Sequence, residues 1–387
     1  MSETNNPEGW EWPFRCTNCG RDYPSQGLPI ICPHCGGHFD AIDDPQYAPG
    51  SGQGFERYLA SFPLPPSSKL YSLGEGSTPL VAEELDKSRV YLKCEHLNPT
   101  GSFKDRGTVV LISALKAVGV QAAVEDSSGN AGASFAAYAA RTGIRARVFV
   151  PDYASGPKRA QIEAYGAELV PIAGPRSAAT EAVLRAAEAG SVYASHAHLP
   201  HIAAGMATIA FELVDALGRA PGALVLPVGQ GTLLLGAYRG FKSLMEAGVT
   251  KSMPRLIGVQ ALACAPIWAA YKEKSARLDL GQEQETIAEG IRILQPLRGD
   301  AVLDAVVETG GAMVAVEEAE IQSGLAKLAR RGFLVEPTSA VIWPALEQLL
   351  PELPEPVVAV LTGSGFKSGP ATWPVGAGQI ASQRPVE

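Results

Sequence analysis

Four cysteines near the start of the chain occur as two CxxC pairs, Cys16 with Cys19 and Cys32 with Cys35. Twelve residues separate the pairs, and a glycine follows the second cysteine of each pair. Each pair can present two thiolates to one ion, and four thiolates complete the tetrahedral shell of a structural zinc site. The spacing therefore predicts a structural zinc ribbon, because four cysteines leave no open position for a substrate. A ribbon that has lost its metal is the alternative.

A lysine follows turn-forming residues in the segment Asn-Pro-Thr-Gly-Ser-Phe-Lys-Asp-Arg-Gly, residues 98–107. Asn-Pro and Thr-Gly favour turns, and a helical pattern follows them, so Lys104 is expected near a helix N-terminus. The positive end of the helix dipole and partial burial both lower the pKa of an amine. An amine of this kind can form an imine with an aldehyde, whereas most lysines at helix starts are solvated surface residues.

Two further segments lie between a predicted strand and the helix that follows it, and both combine glycine with hydroxyl or amide residues. They are residues 127–130 (Ser-Ser-Gly-Asn) and residues 229–233 (Gly-Gln-Gly-Thr-Leu). Helix N-terminal amides bind carboxylates and phosphates, which makes both segments candidate anion sites. An ordinary helix cap is the alternative for the first segment. A dinucleotide site is disfavoured for the second, because the next strand does not end at an acidic residue that would bind a ribose.

The elements that must position these segments alternate along the chain. The strand-like runs are Val90–Lys93, Ala122–Glu125, Arg147–Val150, Glu168–Pro171, Ala223–Val228, Leu256–Gln260 and Val357–Leu361. The helical patterns are Gly107–Val118, Ala131–Arg141, Lys158–Tyr165, Ile202–Leu217 and Leu233–Met245. Apolar strands alternating with helices predict an α/β fold with parallel, helix-covered sheets. Residues 43–68 are rich in Pro, Gly and Ser and are predicted to form a linker.

Composition excludes several classes of protein. The chain has 387 residues, 46% hydrophobic and 19% charged, enough to bury a large core. A net charge of −8 disfavours general nucleic-acid binding. No apolar run reaches the ~18 residues that a membrane helix needs. The polar, acidic N-terminus does not resemble a secretory signal, so we expect a cytoplasmic protein.

Residues 98–107 resemble the pyridoxal-phosphate lysine motif of threonine synthases, which belong to the β-family, or fold-type II, of pyridoxal-phosphate enzymes. Residues 73–80 (Leu-Gly-Glu-Gly-Ser-Thr-Pro-Leu) and later segments resemble further motifs of that family in the same order. Several archaeal and bacterial threonine synthases also carry an N-terminal cysteine ribbon. The resemblance implies an α/β fold of the tryptophan synthase β type with two parallel-sheet, three-layer domains.

The implied domains are a zinc ribbon over residues 1–45, a large cofactor-binding domain over 46–110 and 215–387, and a smaller mobile domain over 111–214. The resemblance also implies a homodimer that acts on a small amino acid. Lys104 would hold the cofactor and shuttle protons. The implied cofactor-binding residues are Lys104, Phe103, Asn130, Gly229, Gln230, Gly231, Thr232, Leu233 and Thr362. The expected substrate-binding residues are Ser127, Ser128, Lys158 and His201.

The implied reaction converts O-phosphohomoserine and water to threonine and phosphate. One segment departs from the family, which has Asn residues before a Gly-x-Lys-Thr run. Here the corresponding residues 195–201 are Ser-His-Ala-His-Leu-Pro-His, and Ala207 takes the lysine position. We expect imidazoles, His201 among them, to replace the amide and ammonium contacts to the substrate phosphate.

Other interpretations of the departing segment stay open. Three histidines in six residues could bind a metal, although isolated histidines near loops are usually ordinary polar residues. A changed substrate would suit a threonine or serine dehydratase, or a β-replacement enzyme such as an O-activated-serine sulfhydrylase. A non-catalytic homologue that uses the ribbon to bind a partner is a third class, and the intact lysine loop argues against it.

Overall fold

The computed structural model describes residues 10–152, 156–174, 176–275 and 284–369, together with Pro7 and Trp373. Its strands are β1 (Phe14–Cys16), β2 (Phe39–Ala41), β3 (Leu80–Leu85), β4 (Ser88–Lys93), β5 (Ala122–Glu125), β6 (Arg145–Pro151), β7 (Glu168–Ile172), β8 (Val192–Tyr193), β9 (Ala223–Pro227), β10 (Arg255–Ala261), β11 (Ala312–Val316) and β12 (Val357–Val360). Its α-helices are α1 (Lys104–Ala117), α2 (Asn130–Thr142), α3 (Pro157–Ala164), α4 (Arg176–Glu188), α5 (Ile202–Leu217), α6 (Thr232–Glu246), α7 (Pro266–Glu273), α8 (Gly299–Glu308), α9 (Glu318–Arg330), α10 (Pro337–Ala340) and α11 (Ile342–Leu349).

The larger sheet has six strands in the order β11-β10-β9-β12-β4-β3. Its strands are parallel except for β3, which lies antiparallel to β4 at one edge. Every residue of β9 and β12 is buried. Strands covered on both faces have continuous apolar sequences, which is why the sequence predicted these two. The half-exposed edge strand β3 lacks that pattern and was not predicted.

The smaller sheet has four parallel strands in the order β7-β6-β5-β8. Helices α1 and α5 pack so closely against each other that a Cβ at Gly205 of α5 would overlap the main-chain carbonyl of Arg106 in α1. In α/β proteins, ligands bind at the carboxyl ends of parallel strands. The loops after β5, β9 and β12 therefore frame the candidate site.

The segment 43–68 is packed against the helices, so the linker prediction is wrong. Residues Gly54–Ser61 form a 3-10 helix that buries Phe55 and Tyr58. The Tyr58 hydroxyl donates a hydrogen bond of 2.8 Å to Asp215 on α5. The aromatic side chains bury a large apolar area, although Pro, Gly and Ser are frequent in this segment. Composition alone therefore predicted a linker where the chain is packed.

Strands β1 and β2 form a small antiparallel ribbon that docks on α6. Asp40 receives two hydrogen bonds from Arg239, at 2.7 and 2.8 Å. Asp44 pairs with Lys242 at 3.1 Å. The ribbon is thus joined by charged pairs to the helix that begins at the glycine-rich segment. No helix in the described part of the chain is both long and apolar enough to cross a membrane.

Candidate active site

Lys104 is the first residue of α1 and follows a tightly bonded turn. Asp105 accepts hydrogen bonds from the Thr100 amide at 2.7 Å and the Thr100 hydroxyl at 2.6 Å, which fixes the turn. Burial lowers the pKa of Lys104 to about 8, while the charges of Glu125 and Glu336 act in the opposite direction. An amine that is partly neutral near physiological pH can act as a nucleophile, as the sequence predicted.

The end of β12 meets the lysine loop directly. The Phe103 amide donates a 3.0 Å hydrogen bond to the Thr362 carbonyl, and Ser102 pairs with Gly363. The Thr362 hydroxyl is buried and lies 3.1 Å from the Ser339 hydroxyl. These contacts bring Phe103 and Thr362, which are far apart in sequence, to one side of Lys104.

Asn130, Glu336 and Lys158 form a second group. The Asn130 Nδ2 donates to Glu336 Oε1 at 2.7 Å, and Lys158 Nζ lies 2.9 Å from Glu336 Oε2. Burial alone would lower the pKa of Lys158, but the charge and hydrogen bond of Glu336, together with the charge of Glu289, outweigh burial and raise it. The Asn130 Oδ1 is buried and has no hydrogen-bond partner within the described ranges. A buried unpaired amide oxygen is a place where a ligand can bind.

The glycine-rich segment follows β9 and begins α6. Gly231 has a φ of +78°, and a Cβ there would overlap the Val302 side chain. Among the described residues, no acceptor bonds the backbone amides of residues 229–233. This segment, with Thr232 and Leu233 in the first turn of a 15-residue helix, presents unpaired amides at a helix N-terminus, where anions can bind. The Gln230 side-chain Oε1 accepts a 3.1 Å hydrogen bond from the Leu297 amide, so the backbone amide and the side-chain Nε2 are the donors that Gln230 can still offer to a ligand.

The segment after β5 forms the start of α2. The Ser127 hydroxyl accepts a 3.2 Å hydrogen bond from the Gly129 amide, and Ser128 lies between them in the turn. A Cβ at Gly132 would overlap the Ser127 carbonyl, so the turn requires glycine at this position. The helix N-terminus thus faces the same strand ends as Lys104, consistent with a carboxylate site.

The three histidines of the departing segment have different surroundings. His196 Nδ1 lies 2.8 Å from Glu125 Oε1, close enough to Lys104 for the lysine charge to influence the pKa of His196. His201 is fully buried, and its ring contacts Trp12 and Phe14 of the ribbon at centroid distances of 4.6 and 4.7 Å. The expected contact between His201 and a substrate phosphate stays a prediction, and the enclosure of this ring by ribbon side chains argues against it.

His198 is also directed toward the ribbon, with its ring centroid 5.5 Å from that of His38. Arg298 joins the two parts by donating to the carbonyls of Phe39 at 2.9 Å and His198 at 3.3 Å. The ribbon therefore contacts the segment that carries His196 into the site. The spacing of the three histidines could not show which of them face the ribbon and which faces the site, because spacing does not give the direction of side chains in a loop.

The sequence analysis assigned no role to Glu125, Glu336 or Ser339. Glu125 and Glu336 are both 1% exposed, and Ser339 is completely buried. A charged residue that directly ends an apolar strand was the available signal for Glu125, since strand ends carry functional groups in α/β proteins. For Glu336 and Ser339 the available signal was that residues 336–340 (Glu-Pro-Thr-Ser-Ala) resemble a family loop near the cofactor ring. That resemblance gave neither residue a role, because their surroundings depend on contacts with distant segments.

The four cysteines of the ribbon lie together. Their Sγ atoms are all within 4.8 Å of one another, with Cys16 and Cys35 separated by 3.5 Å and Cys19 and Cys32 by 3.8 Å. A hydrogen bond from the Gly37 amide lowers the pKa of the Cys35 thiol to about 6. Four converging sulfurs, one already favouring the thiolate, match the donor set of a structural zinc site.

This chain is similar to known proteins in both sequence and fold. The family described as pyridoxal-phosphate dependent enzyme matches residues 71–363. A threonine synthase of Methanocaldococcus jannaschii is 34% identical over 91% of this chain and 92% of its own length. The chain belongs to the pyridoxal-phosphate-dependent enzymes. A threonine synthase of Synechocystis sp. is 36% identical over 81% of this chain and 82% of its own length.

Solved structures confirm the fold-type II architecture of this pyridoxal-phosphate enzyme. A threonine deaminase of T.th. superposes with a TM-score of 0.64 at 28% identity, covering 74% of this chain and 92% of that one. A maize serine racemase gives a TM-score of 0.65 at 20% identity, covering 74% of this chain and 88% of that one. The protein is a lyase that uses pyridoxal phosphate and acts on a small amino-acid substrate.

The residues of this pyridoxal-phosphate enzyme fit that cofactor. Lys104 offers a buried amine with a lowered pKa. The glycine-rich segment offers unpaired amides to a phosphate, and Asn130 offers an unpaired amide oxygen beside Lys158 and Glu336. Thr362 offers a neutral hydroxyl at the end of β12. These groups come from separate loops, and each matches one polar feature of the cofactor.

Proposed function

We propose that this enzyme converts O-phosphohomoserine and water to threonine and phosphate. The carrying observation is the buried Lys104 amine, enclosed by groups from the ends of β5 and β12 and by the N-terminus of α2. Relatives that are named threonine synthases and match more than nine-tenths of the chain favour this reaction over others in the family.

In this proposal different loops bind the cofactor and the substrate. Lys104 holds the cofactor and moves protons at the α-carbon of the substrate, and the amides of residues 229–233 hold the cofactor phosphate. Asn130 and Thr362 contact the cofactor ring, and Ser127 and Ser128 bind the substrate carboxylate. Pyridoxal phosphate supplies an electron sink for the carbanion formed when the α-proton leaves. The neutral Thr362 hydroxyl does not force the ring nitrogen to be protonated, which suits elimination and replacement.

The test is phosphate release from O-phosphohomoserine, measured beside keto-acid formation from threonine and serine. We expect phosphate release to dominate and Lys104→Ala to abolish both the visible absorbance of the cofactor–lysine linkage and turnover. The far-UV circular dichroism of Lys104→Ala should match that of the wild type, and Lys116→Ala on the same helix should remain active. Full activity of Lys104→Ala, or a wild type that releases no phosphate, contradicts the proposal.

A dehydratase acting on threonine or serine is the second candidate. Ala207 takes the family's lysine position and is fully buried, at the point where α5 packs on α6. His201 is enclosed by the ribbon, so neither residue supplies a cation to a second phosphate. The likeness to a threonine deaminase at 28% identity agrees with this alternative. Keto-acid formation that exceeds phosphate release would establish it.

We also propose that the four cysteines hold a structural zinc ion. The closely spaced sulfurs and the charged pairs that dock the ribbon on α6 support this role. A closed site of four thiolates contributes folding free energy and holds no reacting group. Elemental analysis of gently purified enzyme should find one zinc per chain, and its absence would contradict this assignment.

Further proposals follow from the family resemblance and the sequence. We propose a cytoplasmic homodimer, in which residues 111–214 form a smaller domain that moves relative to residues 46–110 and 215–387. The separate four-stranded sheet β7-β6-β5-β8 supports a distinct smaller domain. Sedimentation equilibrium tests the dimer, and small-angle scattering with and without substrate tests the movement.

A further inference from the structure

Glu125 and His196 form a hydrogen-bonded pair that the roles proposed above leave unused. Glu125 is the last residue of β5 and is 1% exposed. Its Oε1 lies 2.8 Å from His196 Nδ1, and its Oε2 has no partner among the residues that the structure describes. Burying a carboxyl group with one unpaired oxygen costs free energy, so a purely structural role explains the pair poorly.

The pair lies beside the reacting groups. Glu125 precedes Ser127 by two residues, and its carboxyl group lies close enough to the Lys104 amine to influence the pKa of that amine. His196 comes from the departing segment between β8 and α5. Because Glu125 occupies Nδ1, the remaining nitrogen Nε2 is the one that a substrate can contact.

The surroundings determine where the proton of the pair resides. Burial and the neighbouring charge of Asp126 raise the pKa of Glu125 well above its usual range. Burial and the positive charges of Lys104 and Arg176 lower the pKa of His196 well below its usual range. A protonated Glu125 donates to Nδ1, which leaves the His196 Nε2–H as a hydrogen-bond donor.

Several neighbouring charged or titratable groups influence the pKa values of Glu125 and His196. They are Lys104 of α1, Asp126 after β5, Arg176 of α4 and His198 of the same loop as His196. Arg176 is held by Asp126 at 3.0 Å, so this positive charge is largely neutralised. Besides burial, the largest influence on the pKa of Glu125 is therefore the Asp126 charge, and the largest on the pKa of His196 is the Lys104 charge.

We propose, on the basis of the threonine synthase reaction proposed above, that Glu125 and His196 relay a proton to the phosphate that leaves the substrate. A Cβ proton moves to the Lys104 amine, which later returns it to Cγ, and a Cβ–Cγ double bond forms as the Cγ–O bond breaks. The electron pair of the Cγ–O bond stays on the bridging oxygen of the phosphate, and the His196 Nε2 proton moves to that oxygen. The Glu125 proton moves to Nδ1 at the same time. When water later adds its oxygen to Cβ, a water proton returns to Nε2 and the Nδ1 proton returns to Glu125.

This sequence balances the overall reaction, because the proton lost by water is the proton gained by phosphate. His196 is a catalytic residue in this scheme, since it contacts the leaving group. Glu125 is a positioning residue that acts through His196, by fixing the ring tautomer and supplying the second proton. The pair also provides a donor to the substrate phosphate in a chain that has Ala207 at the family's lysine position.

The experiment compares His196→Gln and Glu125→Gln with a matched control, His198→Gln. All three are assayed with O-phosphohomoserine and with vinylglycine, which has the same carbon skeleton but no phosphate to expel. We expect His196→Gln to lower kcat for O-phosphohomoserine by ~100-fold, a usual loss for a general acid. Turnover of vinylglycine by that variant should stay close to that of the wild type, because Nε2 keeps its proton when no phosphate leaves and therefore takes none from water. His198→Gln should turn over both substrates at rates close to those of the wild type.

Two measurements separate a relay from a merely structural pair. Calorimetric titration of the cofactor-loaded enzyme with inorganic phosphate should show ~10-fold weaker binding to His196→Gln, through loss of one strong hydrogen bond. The kcat of the wild type should fall as rising pH removes the relay proton. The residual kcat of Glu125→Gln should lack this fall, because an amide does not ionise.

Equal losses on both substrates, unchanged phosphate binding by His196→Gln, or an equal defect in His198→Gln would each overturn the relay. A wild type that turns over vinylglycine but not O-phosphohomoserine would instead refute the proposed function, and the relay with it. If the wild type releases phosphate normally and His196→Gln releases it at the same rate, the relay alone is refuted.

Discussion

Replacing His201 should change the pH dependence of stability and leave substrate affinity unchanged. The ring is fully buried between ribbon and body, and neither nitrogen has a hydrogen-bond partner within the described residues. Burial lowers the pKa of His201 to about 3, from an ordinary value of 6.5. The folded protein therefore keeps the ring neutral, whereas the unfolded chain takes up a proton below pH 6.5.

The sign and size of the effect follow from this difference. The unfolded state binds more protons between pH 6.5 and about 3, so the free energy of unfolding falls as the pH decreases through that window. Each pH unit contributes about 1.4 kcal/mol, so lowering the pH from 7 to 5 should remove about 2 kcal/mol through this group. Below pH 3 both states are protonated at this ring, and the loss reaches its limit.

The assay is urea denaturation of wild type, His201→Phe and His201→Gln at pH 7 and pH 5. Neither replacement titrates, so both variants should lose about 2 kcal/mol less than the wild type between these pH values. Only His201→Phe should also gain stability at pH 7, by about 1 kcal/mol, because it removes unpaired buried nitrogens. The KM for O-phosphohomoserine should not change in either variant.

Two results would refute this reasoning about His201. An unchanged pH dependence in both variants would mean that the folded protein already accommodates a charged ring. A rise in KM without a change in stability would mean that the ring reaches the substrate after all.

Two further substitutions test the packing around the site. Gly231→Ala should weaken cofactor binding at least ~10-fold, measured by equilibrium dialysis. The residue has a positive φ, which disfavours alanine, and the added methyl group would overlap the Val302 side chain and displace the amides of residues 229–233. Arg106→Met should lower the free energy of unfolding by about 3–5 kcal/mol, because it removes the guanidinium that lies 2.6 Å from the buried Glu95 carboxylate and 2.7 Å from that of Glu212, and leaves Lys93 to offset both charges. Arg89→Met, which removes an exposed ion pair, should cost under ~1 kcal/mol in the same denaturation assay, and equal losses would contradict the argument.

The sequence by itself indicated the groups that are proposed to carry the chemistry. The cysteine pairs were found from residue type and spacing. For Lys104 and the glycine-rich segment, residue type and spacing left alternatives open, and the family resemblance supplied the roles. Helix α5 was predicted at its observed bounds, Ile202–Leu217, and the buried strands β9 and β12 were predicted within one residue at each end. Continuous apolar strands and a periodic helix are local patterns that survive folding unchanged.

Only the tertiary structure decided which side chains meet. Glu125 and His196 are 71 residues apart and Asn130 and Glu336 are 206 apart, yet each pair forms a hydrogen bond. His201 lies only five residues from His196 but is enclosed by the ribbon. A one-dimensional pattern fixes neither the direction of a loop side chain nor its neighbours. Those depend on how the ribbon, the sheets and the loops pack together, and that packing divides the three histidines between an interface and the site.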